Sequence, residues 1–249
     1  MNTFFNIRYE MDREKIHEAI SERLRQPGSD YICVADGVIL NTANRIPEYN
    51  KVVNGGMFAI CDSSYVPLYI KWIYGKRYQQ YCGSEIFENI VKSRKYRMIF
   101  LGTQQSVLDG LKENLTLMNP DVDQMNFIEL PFREVKDFDY PAIAKMVTDD
   151  GAEIIWVALG APKQEYFMHY LQPHLNHGVM IAVGAAFKFF SGGKTNRAPE
   201  WMVKNHLEFI HRIVKEPKKQ FNRCYHIIKS LPTLLYKEWK VRNQSNNIV

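Results

Sequence analysis

Along the chain, short apolar runs alternate with longer stretches in which apolar residues recur every three or four positions. The runs at residues 31–34, 57–61, 98–101, 125–130, 154–159 and 179–183 have strand length, and each ends near a turn-forming residue. Residues 84–93, 106–118, 140–149 and 163–175 have helical spacing. Strand and helix in alternation predict an α/β fold with a mostly parallel sheet flanked by helices. No window approaches about 18 uninterrupted apolar residues, so any membrane contact is expected to be peripheral.

The pattern changes beyond Gly192-Gly193. Arg197-Ala198-Pro199-Glu200-Trp201 predicts a turn and a helix entry, the helix running to about Glu216 before Pro217 interrupts it. Residues 218–231 place Phe221, Cys224, Tyr225, Ile228 and Leu231 at three- and four-residue spacing among Lys218, Lys219, Arg223 and Lys229. This is an amphipathic basic helix, which Pro232 is expected to break from a third piece carrying Leu234, Leu235 and Trp239. The expected organisation is an α/β body over residues 1–193 and a basic helical C-terminal appendage over 194–249.

Charge sharpens that division. The 249 residues carry a net charge of +5, but residues 194–249 hold 12 Lys/Arg against 4 Asp/Glu, about +8, which leaves the body at about −3. A basic, aromatic-containing tail on a mildly acidic body points to an anionic partner at that end, and its apolar stripe suits a lipid interface or packing against protein. No nucleic-acid module accompanies the charge, so nucleic acid is not the expected partner. The N-terminus lacks the apolar core and cleavage site of a secretory signal, and four scattered cysteines suggest neither zinc nor a disulfide framework. The expected location is cytoplasmic.

In open parallel sheets, chemistry gathers in the loops leaving the carboxyl ends of the strands. Four such loops stand out: Asp62-Ser63-Ser64, Gly102-Thr103-Gln104, Gly160-Ala161-Pro162-Lys163-Gln164-Glu165 and Gly184-Ala185-Ala186. Their glycines let backbone amides approach phosphate oxygens, as a nucleotide diphosphate requires, although each alone also serves as a turn residue. Asp62 directly follows an apolar strand, where it can take a proton from an attacking hydroxyl or cap the next helix. Gln164 and Glu165 open a helix after Pro162, where they can face a ligand or cap that helix.

The sequence holds no GxGxxG or P-loop fingerprint, no HExxH and no GxSxG. Asp121-Val122-Asp123 has the DxD form of some metal-dependent sugar transferases but follows Asn119-Pro120 in a surface turn, and no metal site is expected.

Taken together, Val157-Ala158-Leu159-Gly160-Ala161-Pro162-Lys163-Gln164-Glu165, Val183-Gly184-Ala185-Ala186-Phe187, Ser191-Gly192, Arg197-Ala198-Pro199-Glu200-Trp201-Met202, Leu207-Glu208-Phe209 and Glu216-Pro217 resemble the bacterial WecG/TagA/CpsF glycosyltransferases. Phe100-Leu101-Gly102 and Cys61-Asp62-Ser63 add weaker matches. The resemblance implies a Rossmann-like fold and metal-independent, inverting transfer from a UDP-sugar to a polyprenyl-diphosphate-linked sugar, in surface-polysaccharide or teichoic-acid assembly at the inner face of the plasma membrane. It implies no cofactor and leaves homo-oligomerisation open.

Residue by residue, the resemblance makes Asp62 the general base and Gln164 its companion in the catalytic centre. It lines the nucleotide-sugar pocket with Gly83, Ser84, Gly102, Thr103, Gly160, Pro162, Lys163, Glu165, Gly184, Ala185 and Lys188. It assigns diphosphate or lipid headgroups to Arg197, Arg212, Lys215, Lys218, Lys219 and Arg223. Four departures fall near that pocket: Cys61-Asp62-Ser63 in place of a Pro-Asp-Gly step, Ala35-Asp36-Gly37 in place of a Thr-x-Asn element, Gln80 in place of an arginine, and Lys188 where an acid is common. They favour an altered donor sugar or, as the competing class of function, a non-catalytic nucleotide-sugar-binding subunit of an assembly complex.

Overall fold

The computed structural model describes residues 2–192 and 217–246. Among the described residues, eight strands form one sheet in the order β1-β2-β4-β3-β8-β7-β5-β6, with β1 (Asn2–Phe4) and β2 (Ile7–Glu10) paired antiparallel and every other pairing parallel. The expected α/β architecture is the one observed. β3 (Gly28–Ala35) and β8 (His177–Ala182) lie at the centre, flanked by β4 (Phe58–Cys61) on one side and by β7 (Ile154–Ala158), β5 (Met98–Gly102) and β6 (Asn126–Ile128) on the other. Every residue of β4, β5 and β7 is buried, as parallel strands covered on both faces must be, which explains why they read as continuous apolar runs.

One face of the sheet carries α1 (Arg13–Leu24), α5 (Gly83–Ser93), α6 (Gln105–Met118) and α9 (Ala186–Phe190), joined through Ile16, Phe87, Leu111 and Phe187. The other carries α2 (Gly37–Arg45), α3 (Pro47–Gly55), α4 (Val66–Tyr74), α7 (Tyr140–Asp150), α8 (Lys163–Leu171) and α10 (Pro217–Asn246), joined through Leu40, Tyr49, Ile70, Val147, Phe167 and Leu234.

Local chemistry fixes the helix ends. The Asp139 side chain accepts from Ala142 N–H to start α7, and Gly151, at φ 73°, ends it in the left-handed conformation that glycine adopts without strain. At the start of α5, Glu85 reaches back to the Cys82 amide at 2.9 Å.

Two expectations are corrected. Pro232 does not break the C-terminal helix, which runs unbroken through it. The ring lies exposed, where the missing N–H removes a single helical hydrogen bond and the displaced carbonyl can turn to water. The helical piece expected to end near residue 175 stops at Leu171 and passes into a 3-10 turn, Gln172–His174, because Pro173 offers no amide for another α-helical bond. The expected helix between Trp201 and Glu216 lies outside the described residues. Among the described residues, no helix is long and apolar enough to cross a membrane.

Candidate active site

The chain leaves the adjacent central strands toward opposite faces, from β3 to α2 on one and from β8 to α9 on the other. That divergence opens a crevice at the carboxyl end of the sheet, the place where parallel α/β proteins bind ligands. Ala35 pairs in register with Cys61, so Asp36 and Asp62 leave neighbouring strands side by side.

Their carboxylates are used differently. Asp36 caps α2, its Oδ1 accepting from Val38 and Ile39 N–H at 2.8 and 3.0 Å. Asp62 does not cap α4, the helix that follows it. Its Oδ1 accepts instead from the Gly83 amide at 3.1 Å, the first residue of α5, and the side chain stays half-buried. Gly83 is seated over the strand ends: a β-carbon there would lie 3.2 Å from Val34 Cγ1 and 3.9 Å from the Val183 carbonyl oxygen. The amide end of α5 therefore stands above β3 and β8, where it favours negative charge.

Gln80, which replaces the arginine expected before Gly83, fastens the same loop by donating from Nε2 to the Asp62 carbonyl at 2.9 Å. Arg13 in turn holds the Gln80 carbonyl at 3.0 Å, pairs with Glu85 at 3.1 Å and lies over the Tyr81 ring.

The arc continues across β8 and β7. A β-carbon on Gly184 would lie 3.6 Å from Gln164 Oε1, which accepts from the Gly160 amide at 3.1 Å. Gln164 Nε2 donates to Glu165 Oε1 at 2.9 Å, and Tyr49 OH donates to Glu165 Oε2 at 3.0 Å. Gln164 and Glu165 are both buried, so Glu165 supports Gln164 from beneath rather than lining the open crevice. Burial pushes the Glu165 carboxyl up to about 7, against the two side-chain hydrogen bonds that favour its charged form, with the nearby Asp36 raising it further. Burial likewise raises the Cys33 thiol and the Tyr49 hydroxyl beside it. At β5, Gly102 comes so close to β7 that a β-carbon would lie 2.7 Å from the Ala158 carbonyl oxygen.

Asp62, Gly83, Gly184, Gln164, Gly160 and Gly102 thus form one rim over the ends of β4, β8, β7 and β5, with Ser84 at the α5 entry and Thr103, Pro162 and Ala185 on the same loops. Two pocket expectations sit further out. Lys163 lies over the rings of Phe132 and Phe138, at 5.0 and 5.5 Å. Lys188 is exposed on α9. Arg197, Arg212 and Lys215 lie outside the described residues, and Lys218, Lys219 and Arg223 fall in the first two turns of α10. Asp121 and Asp123 occupy an exposed 3-10 turn, Pro120–Gln124, with Asp123 3.6 Å from Lys112.

Sequence reasoning placed Ala35-Asp36-Gly37 near the pocket without giving Asp36 a role, and it missed Tyr49. Asp36 carries the signal that singled out Asp62, an acid directly after an apolar strand, whereas Tyr49 reaches Glu165 only through packing of α3 on α8.

A family model described as the glycosyl transferase WecG/TagA/CpsF family matches residues 3–246. Three relatives are N-acetylglucosaminyldiphosphoundecaprenol N-acetyl-beta-D-mannosaminyltransferases. That of Bacillus subtilis (strain 168) is 25% identical over 219 residues, covering 84% of this chain and 83% of the relative. Those of Bacillus spizizenii (strain ATCC 23059 / NRRL B-14472 / W23) and Staphylococcus aureus (strain MW2) are 24% and 22% identical, each covering 86% of this chain and 82% and 81% of the relative.

Proposed function

The chain belongs to the WecG/TagA/CpsF family of glycosyl transferases, and from that premise we propose that it moves an N-acetylhexosaminyl group from a UDP-sugar to a polyprenyl-diphosphate-linked N-acetylglucosamine. The observation that carries this reading is the Asp62 carboxylate, half-buried at the end of β4 and held by the Gly83 amide beside a rim of glycine-bearing loops.

In the proposed step an acceptor hydroxyl attacks the anomeric carbon of the donor. Its oxygen forms the new glycosidic bond while its proton passes to Asp62. The bond from the anomeric carbon to the diphosphate oxygen breaks, and UDP leaves with the electron pair. A single displacement of this kind inverts the anomeric centre. Backbone amides around Gly83, Gly160 and Gly184, together with cations of the C-terminal segment, meet the charge on the departing diphosphate, so no divalent metal is required. Gln164, locked between the Gly160 amide and Glu165, sets the shape of the donor pocket.

Incubation with UDP-N-acetylmannosamine and a short-chain polyprenyl-diphospho-N-acetylglucosamine, with and without chelator, tests the proposal. The expected product is the lipid-linked disaccharide, formed at the same rate in both. Donor binding without product from any UDP-sugar replaces the enzyme by the binding-subunit reading, and loss of transfer on chelation removes the metal-free mechanism.

A further inference from the structure

We propose that the outer face of α4, centred on Leu68 and Trp72, docks on an anionic lipid bilayer. The proposal deepens the reading above, since a polyprenyl-linked acceptor presents its diphosphate at the headgroup level of a membrane.

α4 is amphipathic in an unusual sense. Its inner face buries Val66, Ile70 and Ile73 against the sheet, yet its outer face also carries large apolar groups, with Leu68 63% and Trp72 73% exposed. Four residues apart on one helix, these two side chains are neighbours. Apolar residues scattered singly over a surface need no partner, and Leu117 on α6 is of that kind. A Leu–Trp pair on one helical face is a patch.

The surrounding charge selects the occupant. Residues 63–84 contain Lys71, Lys76 and Arg77 and no acidic residue, and all three cations are exposed. A second copy seated symmetrically on this face would bring those cations against their own equivalents, and Glu238, the acid bonded to Tyr74 at the end of α4, is buried and cannot neutralise them. An anionic bilayer offers hydrocarbon to Leu68, the interfacial zone to Trp72, and phosphates to the cations.

The neighbouring helix is of the same kind: α10 packs against α4 and exposes Tyr236, Trp239 and Val241 among Lys237 and Lys240. Position agrees as well. α4 begins four residues after Asp62, so a bilayer on its outer face lies close to the candidate base.

The test is co-sedimentation of the full chain with phosphatidylglycerol–phosphatidylcholine vesicles, in the absence of donor and acceptor. Leu68→Gln/Trp72→Gln is expected to lower partitioning at least about tenfold. Lys71→Gln/Lys76→Gln/Arg77→Gln should flatten its salt dependence, and Leu117→Ser should leave binding unchanged. Because every substituted side chain is exposed, thermal melts should coincide with that of the unaltered chain. Unchanged partitioning of the Leu68/Trp72 variant overturns the proposal. So does equal binding to pure phosphatidylcholine, or conversion of a dimer to a monomer with vesicle binding intact.

Transfer is read separately, on a detergent-solubilised acceptor. A chain that docks through α4 but transfers no sugar overturns the functional reading alone. Retention of that transfer by the Leu68/Trp72 variant, with loss on vesicle-borne acceptor, supports both.

Discussion

The Asp62 carboxylate accepts a hydrogen bond from the Gly83 amide at 3.1 Å, tying the end of β4 to the first turn of α5 across the crevice. The bond orients one carboxylate oxygen and gives the loop a fixed position relative to the amide end of a helix. A group that must meet an incoming hydroxyl gains from such positioning, because the geometry is settled before substrate arrives.

Replacing Asp62 by Asn separates the two tasks of this side chain. The amide keeps an oxygen that can accept from Gly83, so the melting temperature should stay within about 2 °C of the original. The proton acceptor is gone, and turnover should fall at least about 100-fold. Asp62→Ala should lose the same activity and also about 1 kcal/mol of stability, since the Gly83 amide loses its partner. Near-normal turnover in the folded Asn variant would remove Asp62 from the mechanism.

Glu165 links the site to pH. Its carboxyl is raised from 4.5 in the unfolded chain to about 7 in the folded protein, chiefly by burial. Between these values the folded state binds the proton that the unfolded state has released, so this group's contribution to stability falls as pH rises from about 4.5 to about 7 and is level beyond. Glu165→Gln should abolish that slope. Asp30 and Glu238 are shifted in the same direction by burial, and His17 in the opposite one, so the informative quantity is the difference between variant and parent across denaturant titrations. A pH-independent difference would show that Glu165 ionises normally.

The sequence made the strands legible where both faces are covered. Residues 98–101 and 154–159 coincide with β5 and β7 to within one residue because a buried parallel strand has no polar face to interrupt the run. The β1–β2 hairpin was not legible, as its two-residue turn is Phe5-Asn6, both at positive φ, without the glycine that marks such turns. α4 was missed for a different reason: Val66–Tyr74 is apolar on both its inner and outer faces, which erases the helical period. In the site, Asp62 and the glycines were visible as strand-end residues. The burial of Glu165 beneath Gln164 was not, because it depends on a tyrosine from α3, distant in sequence.

Gly37 is where α2 starts, under the ring of Tyr65. A β-carbon at this position would collide with the Tyr65 hydroxyl oxygen and lie 2.9 Å from Ile227 Cδ1 and 3.0 Å from Tyr65 Cζ. Gly37→Ala should therefore cost about 1–3 kcal/mol, the range for overpacking. Removing the nearest atom with Tyr65→Phe should recover part of that loss and no more, since Ile227 and the ring carbon remain close. A double-mutant cycle measures the coupling, and additive effects would refute the contact.

Glu238 holds the C-terminal helix to the body through one buried and one part-buried group. Its Oε2 accepts from the Phe5 amide and its Oε1 from the Tyr74 hydroxyl, both at 2.7 Å, joining α10 to the hairpin turn and to the end of α4. Phe5 sits at φ 50°, a conformation that costs an L-residue about 1 kcal/mol, so the carboxylate also steadies a strained turn. Glu238→Ala leaves a buried amide and a part-buried hydroxyl without their acceptor and should destabilise the protein by about 2–4 kcal/mol. Tyr74→Phe removes one donor and leaves the equally short bond from the Phe5 amide, so about 1 kcal/mol is expected. Hydrogen exchange distinguishes anchoring of the helix from general loosening: amides near residue 238 should lose protection in Glu238→Ala before those of β7 do. Equal loss in both segments would mean that α10 unfolds only with the whole domain, and that Glu238 is part of the global core rather than a latch on its last helix.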